Sequence, residues 1–190
     1  MSSDDYLPPE CLSPTVLGKF ICENGKLFVS DPCYSREIID SGRIAASLDV
    51  KSGVWWALLK RSPKYPGRVS ELEIIHESIY PLEKNIELSE YKLPFGIGVD
   101  TGQVGFFSKD HYPTGDTTGE YEDRSTFYGM CCFITTETTY TAGIIASSPT
   151  TGCGVVSSSG WGDGIYDLLV GRAEDGSIKV AKLDFLIDER

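Results

Sequence analysis

Residues 165–185 read IYDLLVGRAEDGSIKVAKLDF. Two apolar-punctuated runs flank Asp175-Gly176, and Asp-Gly is a strong turn dipeptide because both residues tolerate positive φ. The stretch is predicted as a β-hairpin turning at Asp175-Gly176. In its second arm the apolar positions are 178, 180, 181, 183 and 185. The phase changes at Val180-Ala181, which predicts a β-bulge there.

The same kind of signal recurs upstream. KFICENGKLFVSDP (19–32) has apolar residues on both sides of Asn24-Gly25 and reads as a hairpin. GRIAASLDVKSGVWWALLKRS (42–62) reads as a second, turning at Lys51-Ser52-Gly53. There Val54, Trp56 and Leu58 share one face and Trp55, Ala57 and Leu59 the other, so both faces are expected to be covered. RVSELEIIHESI (68–79) alternates as a further strand, and FGIGVDTGQVGFFS (95–108) is Gly-punctuated and β-like. PLEKNIELSEYKLP (81–94) fits a short helix or a loop, and KDHYPTGDTTGEYEDRST (109–126) reads as a long polar loop. FYGMCCFITTETTYTAGIIASS (127–148), rich in Thr, Ile, Tyr and Phe, reads as one or two strands. Sustained helical periodicity is scarce, and 20 glycines and 10 prolines punctuate the chain. The expectation is a mainly β protein: an antiparallel β-sandwich or partly open barrel with at most one or two short helices, placed at 36–46 or 82–92.

The 190 residues suit one domain. Pro8, Pro9 and Pro14 make 1–15 a flexible lead-in to a single domain over 16–190. The N-terminus is acidic, without the basic start and apolar core of a secretory signal. No run approaches the length of a membrane span. A soluble, cytoplasmic protein is expected, with its six cysteines (Cys11, Cys22, Cys33, Cys131, Cys132 and Cys153) as thiols. With no CxxC pair and only His76 and His111, no zinc site of Cys/His spacing is expected, nor any cofactor.

The formal net charge of −11 opposes nucleic-acid phosphate. Residues 36–68 carry seven Lys/Arg against three acids, whereas residues 71–123 carry twelve acids against three Lys. The acidic stretch is either a set of solvated faces or a surface for a basic protein partner.

Three motifs stand out: GKLFVSDPCY, FGIGVDTGQVGFF and SSSGWGDGIYDLLVGRAEDGSIKVAKLDF. Together they resemble domain-of-unknown-function family 4241 and its shorter relatives in bacteria and phages, and FYGMCC is similar to a motif of the phage-type members. The resemblance covers residues 25–35, 95–108 and 126–186, implies no reaction, and sharpens the site map.

The candidate chemistry follows from these motifs. SSSGWG lacks the first glycine of a nucleophile elbow and is followed by a strand rather than a helix, so serine hydrolysis is disfavoured. His76 lies inside a predicted strand as a structural histidine, while His111 sits in the polar loop, where a base is conceivable. Cys33 has only Arg36 nearby in sequence to lower its pKa. Asp31, Asp100 and Asp163 stand beside Gly or Pro at strand ends, which gather on one rim of a sandwich. There a carboxylate either caps a turn or meets a ligand. Trp161, set between glycines, is either a ligand platform or a plug. The candidate ligand set is Asp31, Cys33, Asp100, Gln103, Ser158, Ser159, Trp161, Asp163 and Tyr166. The leading expectation is a non-enzymatic binding module for a basic protein partner or a small ligand. The alternatives are a small-molecule enzyme using the Asp/Ser rim with Cys33 or His111, and a component of an assembly.

Overall fold

The computed structural model describes residues 13–81, 86–115, 119, 121–148 and 151–185. Cys11 and most of the expected lead-in, residues 82–85 and part of the polar loop lie outside them. Among the described residues twelve strands form two antiparallel sheets. The larger contains β1 (Thr15–Cys22), β4 (Gly53–Arg61), β5 (Val69–His76), β12 (Ile178–Asp184), β11 (Gly164–Arg172) and β6 (Leu88–Glu90) in that order, and β7 (Ile97–Val99) also pairs with β11. The smaller runs β3 (Ala46–Asp49), β2 (Lys26–Ser30), β8 (Gln103–Ser108), β10 (Thr151–Ser158), β9 (Ala142–Ser148). Two α-helices, α1 (Arg36–Asp40) and α2 (Phe127–Glu137), and two short 3₁₀ turns, Glu77–Ile79 and Lys109–His111, complete the described elements. The expected mainly β, sandwich-like class is observed.

The β11–β12 hairpin forms at Asp175-Gly176, where Gly176 has φ 79° and its N–H donates to Ala173 O at 2.9 Å. The bulge falls one step earlier than expected: Gly171 faces Val180 and Arg172 faces Ile178, leaving Lys179 as the extra residue.

Two expected hairpins are corrected. The turns at Asn24-Gly25 and Lys51–Gly53 exist, but each passes the chain from one sheet to the other. β1 pairs with β4, and β2 with β3. The register runs straight through, with Cys22 opposite Gly53 and Lys26 opposite Asp49. At the crossing the Val50 N–H donates to the Gly25 carbonyl at 2.9 Å. The four strands are thus one long two-stranded ribbon bent in half, each half joining a different sheet. The physical reason is burial. Phe20, Leu27, Val29 and Trp55 can share one interior only if the ribbon folds over on itself.

A second bent ribbon repeats the device. β7 and β8 are its one arm, β10 and β11 the other. Ser158 faces Gln103 in the small sheet, and Gly164 faces Val99 in the large one. The bend comprises residues 100–102 on one arm and 159–163 on the other.

Between the sheets lies the main core, with Trp55, Leu72, Phe106, Val155, Leu168, Leu183 and Phe185 all buried. Each such side chain contributes about 1.5–3 kcal/mol by leaving water. The small sheet is covered on its other face too, by Tyr34, Ile39, Tyr112, Cys131 and Ile134 packed on Phe28, Phe107 and Val156. The opposite face of β4 is partly covered as well, where Tyr80 stacks on Trp56 with centroids 4.4 Å apart.

The segment 127–137 is helical, not extended. Thr126 caps it, its hydroxyl accepting from the Gly129 N–H at 3.0 Å. Phe127, Met130, Cys131 and Ile134 recur at helical spacing and pack on the small sheet. Local β propensity lost to this amphipathic pattern.

Candidate functional site

The bend of the second ribbon is where the three sequence motifs meet. The Ser159 N–H donates to Gly102 O at 3.0 Å, tying SSSGWGDG to GVDTGQ. Asp31 directly follows β2, which pairs with β8, and lies fully buried beneath the bend. Its Oδ2 accepts from the N–H groups of Asp100 (2.9 Å) and Thr101 (2.8 Å). Its Oδ1 accepts from the Cys33 N–H (2.9 Å) and the Thr101 hydroxyl (2.7 Å). A carboxylate so engaged stabilises two turns at once, which accounts for its burial.

The other candidates sort by where their polar atoms point. Ser159 is buried, its hydroxyl donating to Gly162 O at 2.8 Å. The Tyr166 hydroxyl donates to the same carbonyl at 2.7 Å, with its ring edge-on to Phe185. Ser158 Oγ meets Thr141 Oγ1 at 3.0 Å. Gln103 faces α2, donating to Cys132 Sγ at 3.3 Å and accepting from the Thr135 hydroxyl at 3.3 Å. Asp100 is exposed and accepts from the buried Tyr34 hydroxyl at 3.0 Å. Asp163 is exposed.

Trp161 is half-buried and packs against the main core. Tyr65 meets it edge-on at 5.1 Å, and the exposed Arg68 lies 4.2 Å from its ring centroid while donating to Gly160 O at 2.7 Å. The indole is therefore a plug with a guanidinium seated on it. Sequence reasoning did not find Tyr65 and Arg68, because they come from the β4–β5 connection, far away in the chain.

The bend also exposes main chain. Gly102 and Gly162 have φ +68° and +97°, and nothing stands within 4 Å of a Cβ built on Gly162. Only glycine takes such conformations without strain, and the missing side chain leaves free space beside Gly162.

The titration of the corner is set by burial and by acids. Burial, then the negative Asp31 and Asp100, push the Cys33 thiol well above its usual range. Burial, then its hydrogen bond to Asp100, raises Tyr34. Burial and the adjacent Cys132 push Tyr128 up to about 12. A thiol held protonated is a poor nucleophile.

The two histidines lie elsewhere. His76 is buried at the end of β5, its ring nitrogens 3.0 Å from Ser52 O and 2.9 Å from Ser78 Oγ. His111 is exposed in a short 3₁₀ turn. Cys22, Cys33, Cys131, Cys132 and Cys153 are free. Among the described residues no group of three or more His, Cys, Asp or Glu is placed to hold a metal ion. No helix there is long and apolar enough to cross a membrane. A depression of about 700 Å³ lies at the far end of β11, between Tyr80, Ile86 and Glu87 and the residues Arg172, Glu174 and Lys179.

A family model described as "Protein of unknown function (DUF4241)" matches residues 69–182, more than half of the 190-residue chain. The match includes the bend residues 100–102 and 159–163, begins after SDPCY, and takes in residues 69–94, which the three motifs do not reach. No curated protein and no solved structure matches the chain.

Proposed function

The chain belongs to the DUF4241 family, described only as of unknown function, and from its corner geometry we propose a non-enzymatic recognition module that takes a cationic group of a partner. One observation carries this reading. The side chains that could do chemistry at the bend (Asp31, Ser158, Ser159 and Tyr166) are hydrogen-bonded within it. Asp100 and Asp163 remain exposed beside the bare backbone of Gly102 and Gly162. Exposed carboxylates beside glycines that carry no side chain suit an ammonium or guanidinium group, which donates hydrogen bonds and carries positive charge. Arg68, seated on Trp161 and the Gly160 carbonyl, is an internal instance of that chemistry. The net charge of −11 favours approach of a basic partner.

Proximity does not separate this reading from the small-molecule enzyme, since Asp31 accepts from the Asp100 N–H and the Ser159 N–H donates to Gly102 O within one bend. Commitment of the side chains supports the recognition reading. The test is titration with a short arginine-rich peptide and an equally long glutamate-rich one, followed by amide chemical shifts. Shifts centred on residues 100–102 and 160–163 with the basic peptide, lost in the Asp100→Asn/Asp163→Asn double variant, support the proposal. Equal binding by the double variant sinks it.

A further inference from the structure

We propose that Asn24 is a spontaneous deamidation site and that its conversion loosens the segment 109–113. The exposed Asn24 precedes Gly25 in the bend of the first ribbon. The reaction needs the Gly25 backbone nitrogen to attack the Asn24 side-chain carbonyl carbon, and glycine has no Cβ in the way.

The step balances without an oxidant or reductant. A bond forms between the Gly25 nitrogen and the Asn24 Cγ. The Cγ–NH₂ bond breaks, and ammonia departs with the proton from the Gly25 nitrogen. One water then opens the five-membered succinimide. Cleavage at Cγ yields aspartate, and cleavage at the main-chain carbonyl yields isoaspartate. The chain has one other asparagine, Asn85, which precedes the β-branched Ile86. That side chain hinders the same attack and makes Asn85 an internal control.

The consequence follows from what Asn24 holds. Its Nδ2 donates to the Asp110 carboxylate at 2.7 Å. Asp110 sits in the segment that Arg36 ties down from the other side, donating to the carbonyls of Lys109 (2.8 Å), Tyr112 and Pro113 (3.0 Å). Conversion replaces the donor with a carboxylate facing a carboxylate. The Asn24 tie becomes a repulsion, while the Arg36 bonds, the Lys109–Asp40 ion pair at 3.3 Å and the Tyr112 hydroxyl bond to Tyr34 O at 2.7 Å remain.

The full wild-type chain is incubated at mildly alkaline pH beside a free peptide of the sequence ENGKL, and both are followed by peptide mapping. Conversion of Asn24 to aspartate and isoaspartate while Asn85 stays intact is expected. An Asn24 still amidated after the free peptide is consumed overturns the site. In a second arm, Asn24→Asp should raise amide exchange at residues 109–113 by about tenfold, as loss of a local tie does. Adding Asp110→Asn should restore the wild-type rate. Unchanged exchange in Asn24→Asp, or no rescue, overturns the release. The first arm uses only the wild-type chain, so it stands whether or not a variant folds.

Discussion

The backbone N–H of Ser159 donates to the carbonyl of Gly102 at 3.0 Å. This bond makes two distant motif loops the two sides of a single bend. Asp31 closes the bend from below, and Trp161 is held above it by Arg68 and Tyr65. The predictions start from that arrangement.

Asp31→Asn removes half of the accepting capacity that four donors use. It also turns an NH₂ group toward backbone N–H groups. The expected loss is about 2–3 kcal/mol. Urea unfolding should show the midpoint falling with the slope unchanged. A wild-type midpoint would mean that the carboxylate is not what holds the bend.

Gly162→Ala tests the backbone alone, because a Cβ there meets nothing within 4 Å while φ is +97°. The cost should be about 1–2 kcal/mol, from conformation only. Gly53→Ala should cost more, since its Cβ would also lie 2.7 Å from His76 Nε2. Thermal melts of both variants read the order directly.

His76 gives a pH signature. Its Nδ1 accepts from the Ser78 N–H at 3.2 Å, so Nε2 carries the proton toward Ser52 O. Burial holds its pKa below the ordinary 6.5. As pH falls through 6.5 the unfolded chain takes up the proton first. The stability given by neutral His76 is therefore complete above that value and is lost as pH falls toward the lower folded value. His76→Gln should flatten this part of a stability–pH profile, and an unaltered profile would rule out the assignment.

Arg68→Ala uncovers one face of Trp161. Because Arg68 is exposed, the stability loss should be under about 1 kcal/mol. The indole emission should nonetheless shift to longer wavelength as water reaches the ring. Trp161→Phe identifies that signal against Trp55 and Trp56, and a spectrum unmoved by Arg68→Ala would contradict the stacking.

Thiol labelling orders the cysteines. In a Cys11→Ser background at neutral pH, the half-buried Cys132 should react before the buried Cys22, Cys131 and Cys153. Cys33 is equally half-buried, yet it should lag behind Cys132 because burial and two acids keep its thiol protonated. Fast alkylation of Cys33 would reverse the reading of the corner as chemically quiet.

Much of this was legible in the sequence, through turn residues and alternation. Asn24-Gly25 and Asp175-Gly176 both turn the chain, and the strand around Trp55 and Trp56 has the two faces its pattern implies. What local pattern does not encode is which sheet a strand joins after its turn. The first two expected hairpins failed for that reason: an Asn-Gly turn serves a hairpin and a sheet crossing equally well. The helix over 127–137 carried its own signal, a Thr cap and apolar residues at 127, 130, 131 and 134. Its many β-branched and aromatic residues masked that period. At the site, the gathering of the loops that carry Asp31, Asp100 and Asp163 was readable as strand ends on one rim. The cap from Arg68 and Tyr65 was not, since nothing local relates residues 65–68 to 161.

The bent ribbons also guard against mispairing. A one-residue slip between two strands normally turns one face of one sheet inside out. Here the pairing of Cys22 with Gly53 and that of Lys26 with Asp49 belong to a single ladder that runs around a corner. A slip on either side must carry through the corner and misface both layers together. The chain thus proofreads its strand alignment twice with one set of contacts.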